Sequence, residues 1–113
     1  MPTVIETFSG ATVAAWTTVI TVTFFQEFRR LVIQVAETGG ANPIDFRVLA
    51  SMNADMSAYE ILEDALGNAA FDVAAGTNEY ETLCDCWPYI AVQLRNDGGG
   101  ANIGAYTVTI SGG

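Results

Sequence analysis

Histidine and lysine are both absent from this 113-residue chain, and four arginines stand against thirteen acids, for a net charge of -9. Without histidine there is no Ser-His-Asp triad and no imidazole metal ligand. Without lysine there is no phosphate-loop lysine, no Schiff base and no lysine general base. Two cysteines cannot complete a zinc site without ligands from elsewhere. No run reaches the ~18 continuous apolar residues of a membrane span. The first ten residues carry Glu6 and no basic residue ahead of an apolar stretch, so neither a cleaved signal peptide nor a transmembrane segment is expected, and the chain reads as a cytosolic product. Basic clusters are missing too, since Arg29 and Arg30 are the sole adjacent pair, and a net -9 surface is repelled by phosphate backbones and anionic lipid. Nucleic acid and membrane are therefore excluded as expected partners. No catalytic residue, cofactor or resident metal is assigned.

What the chain does contain is period two. Charged residues make up 15% of it, against about 25% in an ordinary domain, and β-branched residues alternate along most of its length. Ile44, Phe46, Val48, Ala50 and Met52 form one face of the clearest strand, with Asp45, Arg47, Leu49 and Ser51 on the other. Ile90, Val92 and Leu94 oppose Tyr89, Ala91, Gln93 and Arg95; Tyr106, Val108 and Ile110 oppose Thr107 and Thr109; Leu31, Ile33 and Val35 oppose Val32, Gln34 and Ala36. From Trp16 to Phe24 the set Trp16, Thr18, Ile20, Val22, Phe24 alternates with Thr17, Val19, Thr21, Thr23. Branched Cβ atoms pack well on a pleated surface, which is why these runs read as strands. Thr3 to Phe8 is an expected edge strand, and Ala69 to Ala74 a short one anchored by Phe71 and Val73. Tyr80 to Trp87 is a further strand that ends near Pro88, which has no N–H for a ladder.

One stretch, Asp55 to Gly67, supports two readings. Ser57 and Glu60 fit a helix capping box, whereas Tyr59 and Ile61 inward with Glu60 and Leu62 outward fit a strand. The surrounding strands favour the second. Short strands at this spacing imply an all-β fold: a two-layer antiparallel β-sandwich of about eight strands, jelly-roll or immunoglobulin-like, forming one domain over residues 1–113.

Few side chains invite chemistry. Cys84 and Cys86 on one strand would stand about 7 Å apart, too far for a relaxed disulfide with each other. They read as small core residues, or as partners of an intersubunit bond. The acids between Asp55 and Asp72 and between Glu79 and Asp85 read as a solvated rim rather than a glycosidase pair. Asn53, Asp55, Asn96, Asp97 and Asn102 fall in expected loops and are the oxygen ligands available to calcium. Trp87 and Tyr89 are aromatics suited to an interface or a sugar platform. Arg30, Arg47 and Arg95 fall on outward strand faces; as neighbours they would make a basic stripe for an acidic rim on another subunit. Cross-strand pairing with Asp or Glu of the same chain is the equal alternative.

The segments FRRLVIQVAETGGANPIDFRVLAS, YIAVQLRND and AYTVTISG give the chain a texture that resembles small virion proteins of tailed phages, in particular capsid decoration (cement) proteins and tail-associated sandwich modules. That resemblance implies a homo-oligomer, a trimer or dimer, bound to the major capsid protein or another virion protein and bracing the shell without catalysis. The alternative is a carbohydrate- or receptor-binding sandwich of a tail or fibre, calcium-assisted through the loop oxygens. On the first reading the interface residues are Trp87, Tyr89, Arg30, Arg47 and Arg95.

Overall fold

The computed structural model describes residues 3–11, 15–23, 31–39, 42–63, 66–83, 88–96 and 104–112. Nine strands are present among them: β1 (Thr3–Ala11), β2 (Thr17–Thr23), β3 (Leu31–Glu37), β4 (Ile44–Ser51), β5 (Glu60–Ile61), β6 (Phe71–Val73), β7 (Asn78–Leu83), β8 (Tyr89–Asn96) and β9 (Ala105–Gly112). One sheet has the order β1-β9-β3-β7; the other has the order β2-β8-β4-β5, with β6 also on β4. Every pairing is antiparallel. The wiring is that of one long hairpin, in which β1 pairs with β9, β2 with β8, β3 with β7 and β4 with β5 and β6. Rolling that hairpin adds the β3–β9 and β4–β8 contacts. This is the jelly-roll arrangement; the immunoglobulin-like alternative groups its strands differently.

Alternation explains which side chains fill the space between the sheets. Ile33 and Val35, Ile44, Phe46, Val48 and Ala50, Ile90, Val92 and Leu94, and Tyr106, Val108 and Ile110 form one buried cluster. β6 adds Val73, and Phe71 lies 5.1 Å from Phe46 between ring centroids. The accessible surface is 6102 Å², close to the roughly 6,000 Å² that surface scaling gives for this mass.

Four departures from simple alternation are informative. Leu49, Ser51, Asp45 and Ala91 lie on the outward face yet are buried, because β4 and β8 are interior strands flanked on both sides. Met52, expected to face inward, is 68% exposed. The chain turns first, as Ser51 Oγ donates to the Ala58 carbonyl and accepts from Asn53 N–H at 2.9 Å. In the 55–67 segment there is no helix among the described residues; β5 pairs Ala50 with Glu60 and Leu49 with Ile61. That register exchanges the faces expected for residues 59 to 62. Tyr59 is therefore exposed, and Leu62, donating its N–H to Val48 O at 2.9 Å, packs against the core. Finally, a bulge between Thr18 and Ile20 breaks the uniform alternation of β2. It puts Thr18 opposite outward Gln93 and Ile20 opposite inward Val92.

The sheet margins are guarded. β1 carries a register break between Val4 and Glu6, β2 its own bulge, and β5 and β6 span two and three residues. β7 runs in unbroken register with β3, but exposed Glu79 stands opposite buried Val35 on the core-facing side. A strand added there would have to bury a carboxylate. Bulges, short strands and inward charges are devices that block edge-to-edge association.

Tyr106 closes one end of the core. A Cβ built at Gly10 would stand 2.7 Å from the Tyr106 hydroxyl oxygen and 2.9 Å from Cζ, so Gly10 is fixed by lack of room. G10A is expected to destabilise the fold by about 1–3 kcal/mol in urea denaturation, the usual range for overpacking. Burial pushes the Tyr106 hydroxyl above its ordinary value of 10.0. The folded state therefore holds this proton where the unfolded chain releases it, and stability falls as pH rises past about 10. Urea midpoints measured from pH 8 to 11 should decline more steeply for the wild type than for Y106F.

Candidate protein-contact face

The outer face of the β2-β8-β4 sheet carries Asp45, Arg47, Gln93 and Arg95. The β4–β8 register sets Asp45 opposite Arg95, Arg47 opposite Gln93, Leu49 opposite Ala91 and Ser51 opposite Tyr89. Directly opposed residues share a face and touch. Arg95 Nε lies 3.2 Å from Asp45 Oδ2, and Arg47 Nε donates to Gln93 Oε1 at 2.8 Å. Gln93 passes the chain of contacts to β2 by donating from Nε2 to Thr18 Oγ1 at 3.1 Å. Trp16, one residue before β2, completes the group. Its ring centroid is 4.2 Å from the Arg95 guanidinium carbon and 4.5 Å from that of Arg47.

This arrangement immobilises two arginines on one indole. Each contact of a guanidinium with a tryptophan face is worth about 0.5–2 kcal/mol, depending on solvent access. The Asp45 side chain is 5% exposed and that of Arg95 36%, so a buried carboxylate meets a partly hydrated guanidinium, and removing either partner costs more than the intact pair contributes. The consequence for recognition is geometric. Planar groups with fixed forks are presented at little entropic cost to a partner, and Trp, Tyr and Arg are the residue types that dominate binding energy at protein interfaces. No three histidine, cysteine, aspartate or glutamate residues stand together as a metal site among the described residues.

The structure brings three of the expected interface residues, Arg47, Arg95 and Tyr89, onto this one face. Arg47 and Arg95 are diagonal neighbours, and Arg95 takes the intramolecular option with Asp45. Tyr89 is half-buried, opposite Ser51 and Thr23. Arg30 and Trp87 lie outside the described residues, as do Cys84, Cys86, Asp97 and Asn102. Of the oxygen ligands considered for calcium, the three that are described do not converge. Asn53 and Asp55 follow the last residue of β4, whereas Asn96 is buried opposite Ile44, its first. Eight strand residues separate those ends by roughly 25 Å.

Two residues that the sequence reading placed on strands without assigning to a site, Trp16 and Tyr59, acquire positions of interest. Trp16 reaches the arginines because of the β2 bulge, which no periodicity reveals. Tyr59, 48% exposed, borders a depression of about 240 Å³ with Met52, Asn53, Ala58 and Glu60. The loop behind it is braced by its own hydrogen bonds: Met56 N–H to Asn53 O at 3.0 Å, and Ser57 N–H to Asp55 Oδ1 at 3.0 Å. The Ser57 backbone donor, joined by its hydroxyl, holds the Asp55 carboxyl below its usual range. Met56 has a φ of 57°, a conformation rarely taken by a side chain of this size.

R95A should destabilise the protein by about 2–3 kcal/mol in urea denaturation, because it removes a charged hydrogen-bond partner from a buried carboxylate. R47A should cost about 1 kcal/mol, the scale of one hydrogen bond plus a stacking contact. In W16L both arginines lose their shared platform, and the double variant W16L/R47A should fall short of additivity.

No known sequence family matches the chain, and no curated protein matches it. Solved structures do. The chain is similar to PirA, with a TM-score of 0.65 and 11% identity over 90% of each chain. It is similar to the Yersinia pseudotuberculosis-derived mitogen, with a TM-score of 0.63 and 10% identity over 100% of this chain and 88% of that one. A third likeness, with a TM-score of 0.52 and 14% identity over 99% and 89%, is to a protein of Bacillus endospore appendages, described as disulfide-linked pili. At such identities the shared property is the β-sandwich fold.

Proposed function

We propose that this chain is a non-catalytic structural subunit that binds and braces a larger protein assembly, and that the assembly is a phage capsid carrying it as a decoration protein. The observation that carries the reading is the fixed Trp16–Arg47–Arg95 group on an otherwise acidic molecule. Its guanidinium edges suit carboxylates on a shell protein or on the next copy of the chain. Binding only the assembled shell would stabilise it by mass action. The guarded sheet margins support the same reading, since they direct association to the faces and away from open-ended strand addition. Among the solved structures of similar fold, the endospore appendages are themselves an assembly, which supports the capacity of such a sandwich to serve as a building unit. Cys84 and Cys86 are the residues that an intersubunit bond would use. The phage setting rests on the texture of the sequence.

The test is sedimentation of the purified chain, alone and with capsids of the phage that encodes it. A dimer or trimer that co-sediments with capsids is expected, with R47E and W16A weakening capsid binding at least tenfold, the scale of losing an interface hot spot. A monomer at all concentrations with no capsid binding overturns the proposal.

A further inference from the structure

We propose that the depression beside Tyr59 is a binding site for a single neutral hexopyranose ring, such as the terminal sugar of a glycan. This goes beyond the assembly reading and does not depend on it. Four observations point to it. Tyr59 is a large aromatic left half in water by its position one residue before β5. A pyranose offers an apolar face of axial C–H groups, which matches the negative face of an aromatic ring. Second, the depression places Asn53 and Glu60 on the same rim. An amide and a carboxylate can together donate to and accept from adjacent hydroxyls, the hydrogen-bonding pair that a sugar requires. Third, its volume of about 240 Å³ falls below the roughly 300–1,000 Å³ of pockets for larger ligands. Fourth, the loop is ordered before any ligand arrives, by Ser51, Asn53, Asp55 and Ser57 and by Met56 in its unusual backbone conformation. Preorganisation lowers the entropic cost of binding a small ligand.

Charge narrows the class. Glu60, Glu63 and Asp55 are exposed around this end of the sandwich, and the whole chain carries -9. Sialic acids, sulfated sugars and phosphates are repelled. A metal is not required: Asp55 already accepts from Ser57, and no metal-ligating group of three stands among the described residues. The site therefore differs from the calcium-assisted one expected from the loop oxygens, and its platform is Tyr59 in place of Trp87 or Tyr89.

The experiment is titration of the full chain with methyl α-glucopyranoside, methyl β-galactopyranoside and methyl α-mannopyranoside, followed by NMR at the Met52 methyl group and the Tyr59 ring, with N-acetylneuraminic acid as the anionic control. At least one neutral hexoside should bind saturably at millimolar Kd, shift both signals, and bind unchanged in the presence of EDTA. Y59A should weaken it at least tenfold, Y59W should retain it, and E60Q should weaken it three- to tenfold, with far-ultraviolet circular dichroism confirming that each variant folds. No shift from any hexoside at 50 mM, shifts that survive Y59A, or equal binding of the anionic sugar would overturn the proposal. So would concentration-dependent shifts of the same signals without sugar, which would make a second copy of the chain the occupant.

Discussion

The register between β4 and β8 is the constraint on which both faces of this sandwich depend. Eight consecutive residue pairs, from Ile44–Asn96 to Ser51–Tyr89, hold the two strands together. Inward, they deliver Phe46, Val48 and Ala50 against Leu94, Val92 and Ile90. Outward, the same pairing sets Asp45 on Arg95 and Arg47 on Gln93. A slip of one residue would turn Asp45 and Arg47 into the core and expose Phe46 and Val48. The core and the arginine group thus enforce each other: each makes the alternative register unaffordable for the other.

Much of this was legible because alternation is a direct consequence of strand geometry. Ile33 and Val35, the even-numbered residues of β4 from Ile44 to Ala50, and Tyr106, Val108 and Ile110 all lie inside as their spacing predicts. What period two cannot express is the relation between strands. The bulge at Thr18/Ile20 moves Trp16 onto the arginines without altering the sequence pattern. The early turn at Ser51 exposes Met52 because a hydroxyl finds the Ala58 carbonyl, a contact seven residues away. The β4–β5 register, set partly by Leu62 reaching Val48, reverses the faces of residues 59 to 62. Choosing jelly roll over immunoglobulin-like wiring likewise depends on which strands become neighbours, a property of the whole chain.

The distribution of reactive potential is equally instructive. Among the described residues, the loop oxygens considered for a shared ion are divided between opposite ends of β4, and Asp55 is occupied in forming a turn. Among the described residues the two arginines, Arg47 and Arg95, are held by Trp16, Gln93 and Asp45 of the same chain. What remains open to a partner is shape: an outer sheet face bearing an ordered arginine pair, and a stiff loop with one tyrosine beside a small hollow. The two lie on different elements, the first on the β2-β8-β4 sheet face and the second in the loop between β4 and β5.

The folded-over hairpin also governs when the structure can form. Thr3 meets Gly112, and Ala11 meets Ala105, so among the described strands β1 has β9 as its sheet neighbour. β1 therefore cannot pair until β9 has been made. Loop closure over such separations is slow, and pairings of this kind place all-β folds among the slow folders. The nucleus is therefore to be sought in the middle of the chain, where β4 first meets its nearby partners β5 and β6, with the terminal strands joining last.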